Sequence, residues 1–158
     1  MKTGKELSHF VSNILPLSGT KPDKRVMAWW AEQPQAARDK LKPNPRPAKE
    51  VMTKFHDWFY QFDKPILFAA PVSFDCYWGR WYYERFVGNG DNNIFHRALD
   101  MRSIMWALVG QHSGDYKAMI ASATGVKIEN PIPHYSLFDA REQGEYLFAL
   151  LRWYEKQK

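Results

Sequence analysis

The sequence predicts a single α/β domain over residues 1–158, and three observations support this class. Residues 65–71 form a continuous apolar run bounded by prolines, as expected for a strand buried on both faces. Residues 49–62 place large apolar side chains at helical spacing. Along the whole chain, strand-like and helix-like segments alternate, which is typical of α/β proteins. A chain of 158 residues is long enough to bury a core of its own.

Composition and charge favour some classes of function and exclude others. The chain has 22 Lys and Arg against 17 Asp and Glu, and the net charge of +5 favours a polyanionic partner such as nucleic acid without establishing one. The single cysteine, Cys76, excludes an internal disulfide and a multi-cysteine zinc site, and it fits a reducing compartment. No apolar run approaches the roughly 18 residues of a membrane span, and the first thirty residues do not resemble a secretory signal. We therefore expect a cytoplasmic protein with no membrane partner.

The N-terminal third is predicted to contain one strand and two short helices. Residues 6–14 alternate polar and apolar side chains, which predicts a strand. Asp23 is expected to cap a helix that runs to Trp30, because its carboxylate can accept the first free backbone amides. Pro34 begins a second short helix that ends near Leu41. Alternating prolines then predict an extended linker: Pro43, Pro45 and Pro47.

The middle of the chain carries the clearest periodic pattern. Four side chains in residues 49–62 recur at intervals of four, three and four, and this stripe is more typical of core packing than of a base-stacking platform: Val51, Phe55, Trp58 and Phe62. After the buried strand, residues 74–87 are expected to be helical and to stop at Gly88, with a loop over 88–93. Residues 98–101 predict a short strand that feeds a helix ending at Gly110.

Two helices are predicted to complete the domain. The first covers residues 115–123 and ends at Gly125. The second covers residues 138–156, with four side chains on its buried side: Leu147, Leu150, Leu151 and Tyr154.

Several common catalytic motifs are absent from the sequence. The chain has no Gly-rich loop followed by Lys-Ser or Lys-Thr and no G-x-S-x-G turn, which excludes P-loop and α/β-hydrolase chemistry. Its five histidines lack the helical spacing and the paired cysteines that zinc sites use. Cys76 lies among aromatic residues, and we interpret it as a buried structural thiol rather than a nucleophile.

One constellation of polar residues remains. Asp75 follows the predicted buried strand at the start of a helix, and His134 precedes Asp139 by five residues at a loop–helix junction. Two aspartates and one histidine at one end of a sheet could hold a divalent cation, with the histidine as proton acceptor. The alternative interpretation is structural, because an aspartate in the first turn stabilises a helix dipole by about 0.3–1 kcal/mol.

Four segments, in order, resemble the DEDDh family of 3′-5′ exonucleases, which includes phage and bacterial members. Residues 29–33 are similar to a Trp-Trp-x-x-Gln helix of that family, and residues 98–101 to the strand between its second and third motifs. Phe74-Asp75 after an apolar strand resembles the second motif. The third motif is matched by His134, Asp139, Ala140 and Gln143. The likeness runs from about residue 4 to residue 153.

This resemblance implies an RNase H-like mixed sheet flanked by helices and a two-metal phosphodiesterase. Asp75 and Asp139 would then be ligands of Mg²⁺ or Mn²⁺, and His134 would be the general base that takes a proton from the attacking water. The implied partners are 3′ ends of single-stranded RNA or DNA, or nucleotides. The implied location is the cytoplasm, which is the host cytoplasm for a phage-encoded protein. Dimers occur in this fold, so a homodimer stays open.

The chain departs from the family at its first motif. It contains no Asp-x-Glu, so we expect a sheet that lacks its first strand and the two carboxylates on it. Two divalent cations bring a charge of +4, and Asp75 with Asp139 supplies −2. We accordingly expect weak turnover with Mg²⁺ and slightly more with Mn²⁺. A longer natural form is one explanation of the missing motif. Three functions stay open: a metal-dependent 3′-5′ exonuclease, a catalytically deficient nucleic-acid- or nucleotide-binding relative, and a protein-interaction module that uses the Trp-rich surface.

Overall fold

The computed structural model describes residues 4–88, 94–110 and 115–158, which contain seven α-helices and a short two-stranded parallel sheet. The elements in chain order are α1 (Lys24–Glu32), α2 (Gln35–Lys40), α3 (Ala48–Tyr60), β1 (Phe68–Ala69), α4 (Val72–Phe86), a 3-10 turn (Ile94–Arg97), β2 (Leu99–Asp100), α5 (Met101–Val109), α6 (Tyr116–Thr124) and α7 (Ser136–Glu155). Most of the loop predicted over 88–93 lies outside the described residues.

The helix ends follow the predicted capping residues. Asp23 accepts hydrogen bonds from the first free amides of α1, and Asp115 does the same for α6. Gly110 and Gly125 end α5 and α6 at φ values of 76° and 72°, a backbone region that glycine enters without steric cost. The sequence therefore predicts these boundaries to within a residue or two.

The sheet is smaller than predicted. Phe68 and Ala69 pair in parallel with Leu99 and Asp100, and the amide of Leu99 donates to the carbonyl of Leu67 over 2.8 Å. The run over residues 65–71 is not a strand buried on both faces, because only two of its residues pair and Ile66 stays 49% exposed. Two prolines bound the run and restrict it to a short edge segment. The combination of helices with a parallel strand pair is compatible with the α/β class, and the larger mixed RNase H-like sheet stays a prediction.

The strand predicted over residues 6–14 is wrong. In the described part of the chain this segment has no helix and no extended ladder, and its backbone pairs only through a single parallel bridge between Ile14 and Arg46. Leu7 is 77% exposed, so the alternating pattern faces no buried surface that would select a strand. Side chains attach the segment instead: Phe10 packs on Phe55 and Trp58, with ring centroids 5.7 and 5.9 Å apart.

Two clusters of buried side chains form the core. The larger one lies between α5, α6 and α7 and contains Met101, Met105, Tyr116, Ile120, Tyr146, Leu147 and Leu150. The smaller one lies between α3, α4 and the 3-10 turn and contains Met52, Phe59, Tyr83 and Ile94. The buried side predicted for the last helix is correct at Leu147 and Leu150 and wrong at Tyr154, which is exposed.

One face of α4 presents aromatic side chains to solvent: Phe74, Tyr77, Trp78 and Trp81. Arg85 continues this face, and its guanidinium lies 5.3 Å from the centre of the Trp81 ring. In the described residues no helix is both long enough and apolar enough to cross a membrane.

Candidate active site

Asp75 is placed by the junction between β1 and α4. It lies in the first turn of α4, and Asp100 at the end of β2 fixes the start of that helix. Asp100 Oδ1 accepts from the Val72 amide over 3.0 Å, while its Oδ2 accepts from the amide and the hydroxyl of Ser103. Burial alone would raise the pKa of Asp100, but these hydrogen bonds outweigh it and lower the pKa. The same carboxylate thus joins the starts of α4 and α5.

Asp139 is placed by the first turn of α7 and the loop before it. Its Oδ1 accepts from the side-chain amide of Asn130 over 2.7 Å and from the backbone amide of His134 over 3.2 Å. His134 has a φ of 69°, in the left-handed region, and this turn aims its amide at the carboxylate. The position of Asp139 therefore depends on a loop that is folded back onto it.

A partly buried ion pair between Lys117 and Glu142 adjoins Asp139. Glu142, one turn further along α7, is only 6% exposed. Its Oε2 accepts from Lys117 Nζ over 2.7 Å and from the Asn130 side-chain amide over 3.0 Å. The Asn130 amide thus bridges the two carboxylates, and its own oxygen accepts from the Ile132 amide. Asn130, Glu142 and Lys117 were not predicted as site residues. The one sequence pattern that points to Glu142 is its spacing from Asp139 by one helical turn.

Asp75 and Asp139 face the same cleft, which has a volume of about 560 Å³. His134, Trp30, Phe68 and Gln143 are among the other side chains that line it. Asp75 is exposed, yet its pKa is raised, first because neighbouring protein atoms displace part of the water around its carboxylate and second because the charge of Asp139 lies near it. Two like charges held together in this way are a common feature of sites that bind cations or move protons.

The imidazole of His134 lies against the tryptophan pair of α1. Its centroid is 5.0 Å from the Trp29 ring and 6.5 Å from the Trp30 ring, both nearly perpendicular to it. Such edge-to-face packing restricts the orientation of the imidazole while the residue stays exposed to the cleft. The helix that carries the Trp-Trp pair therefore forms one wall of the site.

The donor set suits one divalent cation better than two. Asp75 and Asp139 supply two carboxylates, whose charge balances one such ion, and the repulsion between them is the kind that a bound cation relieves. In residues 4–88, 94–110 and 115–158, no group of three or more His, Cys, Asp and Glu side chains is close enough to hold a metal ion together. Cys76 is partly exposed, so the prediction of a buried thiol is wrong in its burial; desolvation and the nearby charge of Asp75 raise its pKa to about 11, which favours the neutral thiol.

The family model for the 3′-5′ exoribonuclease Rv2179c-like domain matches residues 2–151. This chain belongs to the Rv2179c-like family. The matched region of the Rv2179c-like domain includes Asp75, Asp139, His134 and the network behind them. Neither the curated proteins nor the solved structures gave a match. The predicted relation to 3′-5′ exonucleases is thereby confirmed at the level of the family, and a nuclease function follows in general terms.

Proposed function

We propose that this chain is a metal-dependent 3′-5′ exonuclease of the DEDDh type with an RNase H-like core, acting on single-stranded RNA. The observation that carries the proposal is the pair Asp75 and Asp139 in one cleft with His134. RNA is the favoured substrate because the family description names exoribonucleases.

In this proposal Asp75 and Asp139 hold one divalent cation, Mg²⁺ or Mn²⁺. When bound, such an ion supplies positive charge that favours deprotonated water and neutralises the phosphate. His134 accepts the proton of the attacking water, and the Trp29 ring keeps the imidazole oriented for this step. Asn130 restrains Asp139 so that its carboxylate need not reorganise when the charge distribution changes.

The reaction is hydrolysis of the last phosphodiester bond. The water oxygen forms a bond to phosphorus while its proton passes to His134, and the bond from phosphorus to the O3′ of the penultimate nucleotide breaks. That O3′ takes a proton from solvent, which leaves a new 3′-hydroxyl and a free 5′-mononucleotide. No redox partner is needed.

The first prediction tests the acidic pair. Asp75→Asn and Asp139→Asn should each lower the rate of 3′ shortening by ~10²–10³, since each removes a charge that stabilises the transition state. The measurement is the ladder of products from a 5′-fluorescein single-stranded RNA oligomer with Mn²⁺ or Mg²⁺, and with EDTA as the metal-free control. A DNA oligomer of the same sequence tests the choice of RNA.

Asp57→Asn is the matched control, because Asp57 is an exposed carboxylate on α3 that does not line the cleft. Its variant should digest RNA at the wild-type rate. Shortening that persists in EDTA, or that Asp139→Asn leaves unchanged, would contradict the assigned roles.

A second candidate function is nucleic-acid or nucleotide binding without turnover. It is favoured by the lack of a three-residue ligand group in the described part of the chain. Stacking on aromatic side chains contributes ~1–3 kcal/mol per base, so binding does not require a complete metal site. Retained RNA binding with no shortening in either metal ion would select this function over the first.

A further inference from the structure

A second cavity adjoins the cleft and is not lined by the acidic pair. It has a volume of about 490 Å³ and lies between the N-terminal segment, the α2–α3 linker and α3. It shares five lining residues with the cleft: Phe10, Asn13, Lys40, Val51 and Tyr135. The two cavities therefore adjoin and are together called the groove; Asp75 and Asp139 line the first of them and not the second.

The charge of this second cavity is opposite to that of the acidic pair. Its wall contains Lys40, Arg46 and Lys54 against one carboxylate, Glu50. The Lys54 ammonium donates to Glu50 over 2.8 Å and is the main cause of the lowered pKa of Glu50, to which the charge of Arg46 also contributes. Within the described residues no carboxylate forms an ion pair with Lys40 or Arg46. The wall has a net charge of +2.

The backbone beneath these cations is fixed. The Asn13 side-chain amide donates to the carbonyls of Lys40 and Pro43, each over 2.9 Å. The Arg46 amide donates to the Asn13 carbonyl, and the Arg46 carbonyl accepts from the Leu15 amide. Lys40 Nζ also lies 5.5 Å from the centre of the Tyr135 ring, at the boundary between the two cavities.

We propose that this basic pocket binds the backbone phosphates of the single strand on the 5′ side of the scissile bond; the inference rests on the proposed function. An unpaired guanidinium and an unpaired ammonium are the side chains that phosphate oxygens recognise. Phe10 and Tyr135 lie between the acidic and basic ends, where a base can stack. A groove with a cation-binding end, an aromatic middle and a basic end matches the 3′ end of an RNA strand.

The test measures binding rather than turnover. A fluorescein-labelled single-stranded pentanucleotide is titrated in EDTA by fluorescence anisotropy at several salt concentrations. For Lys40→Gln with Arg46→Gln, loss of two phosphate contacts should lower the slope of log K against log salt by about 1.4, which is roughly 25-fold weaker binding at 0.1 M salt. A second titration with a mononucleotide should show little change, because it does not reach the basic pocket.

Lys42→Gln is the matched control, because Lys42 lies on the same linker but is paired with Asp39 over 3.0 Å and does not line the pocket. Its variant should bind the pentanucleotide within about twofold of the wild type. Circular dichroism and the Tm identify any variant that is misfolded, and the single variants Lys40→Gln and Arg46→Gln then carry the test, each with half the slope change.

Two results would overturn the proposal. One is an unchanged salt slope in the double variant. The other is an equal loss of mononucleotide binding, which would place the terminal nucleotide in the basic pocket. Neither depends on hydrolysis, so a chain that binds RNA through this pocket without cleaving it would contradict the proposed enzyme and leave this inference standing.

Discussion

The site depends on a few side chains whose charges are held close together. Asp75 and Asp139 repel each other across the cleft, and the hydrogen bonds that Asp139 receives from Asn130 and His134 keep it in place despite this repulsion. A protein that keeps two like charges together in its folded state loses some stability at neutral pH. This loss of folding stability can be measured by substituting Asp75.

Asp75→Asn should raise the free energy of unfolding at pH 7 and have little effect at pH 3. The folded state raises the pKa of Asp75 above its ordinary value of 3.8, so the folded state binds the proton more strongly than the unfolded state does. Stability contributed by this group is present below pH 3.8 and is lost as the pH rises through the folded pKa. Urea denaturation at both pH values measures the difference.

The control for this experiment is Asp57→Asn, which removes an exposed carboxylate from α3 and should change stability equally little at both pH values. A destabilised Asp75→Asn protein at pH 7 would show that the carboxylate is stabilised by contacts other than those described.

At the scale of elements, the helices were predictable because their signals are local. Asp23 and Asp115 cap the helices that follow them, and Gly110 and Gly125 end theirs. Residues 6–14 do not form the predicted strand. A strand needs a partner edge and a surface to bury, and an alternating sequence pattern specifies neither of them.

The candidate site was predictable to a similar extent. Asp75, His134 and Asp139 were identified from short motifs, and the structure brings all three to one cleft. Lys117, Asn130 and Glu142 were not identified, because the bonds that join them to one another and to Asp139 span 9 to 25 positions, and the spacing of Asp139 and Glu142 by one helical turn does not specify these partners. The metal-binding roles of Asp75 and Asp139 and the catalytic role of His134 stay predictions.

Two glycines in helices should respond in opposite directions to alanine. A Cβ at Gly79 in α4 would lie 2.7 Å from two ring atoms of Phe95, so Gly79→Ala must displace this ring from its packing on Tyr83 and should cost about 1–3 kcal/mol. A Cβ at Gly144 in α7 meets nothing within 4 Å, and Gly144→Ala should stabilise the protein by up to about 1 kcal/mol.

Chemical denaturation of both variants measures these changes, and Gly144→Ala serves as the internal reference for helix propensity. If both substitutions stabilised the protein, the close packing of the 3-10 turn on α4 would be wrong.

At the scale of the whole molecule, the polar network joins the C-terminal core to the cleft. It runs from Lys117 on α6 through Glu142 to Asn130 and Asp139. Glu142 is its buried member, and Lys117, Asn130 and Asp139 are partly exposed, so the Glu142 carboxylate depends most on its partners. The packing of α6 on α7 and the position of the site carboxylate are therefore linked.

Lys117→Met should destabilise the protein by about 1–3 kcal/mol, since it leaves the nearly buried Glu142 carboxylate with the Asn130 amide but without its counter-charge. Lys54→Met is the matched control: its ion pair with Glu50 is a more exposed i,i+4 pair, of a kind that contributes only about 0.3–0.5 kcal/mol. Urea denaturation at pH 7 compares them, and equal losses for the two variants would mean that the Glu142 pair is hydrated like a surface pair.

The N-terminal segment, residues 4–15, has a consequence for how the groove admits a strand. It is held by the Glu6–Arg141 ion pair, the bond from Trp58 to Ser8 and the ring of Phe10, with backbone pairing only near Ile14. A segment attached in this way detaches at a free energy below that of global unfolding, so its amide protons exchange early with deuterated solvent. Asn13 stays bonded to Lys40, Pro43 and Arg46, whereas Phe10 lines both cavities and is held by ring packing, so detachment of the residues before Asn13 would widen the groove at Phe10. A strand that lies against Phe10 in the groove should therefore slow the exchange of these amides.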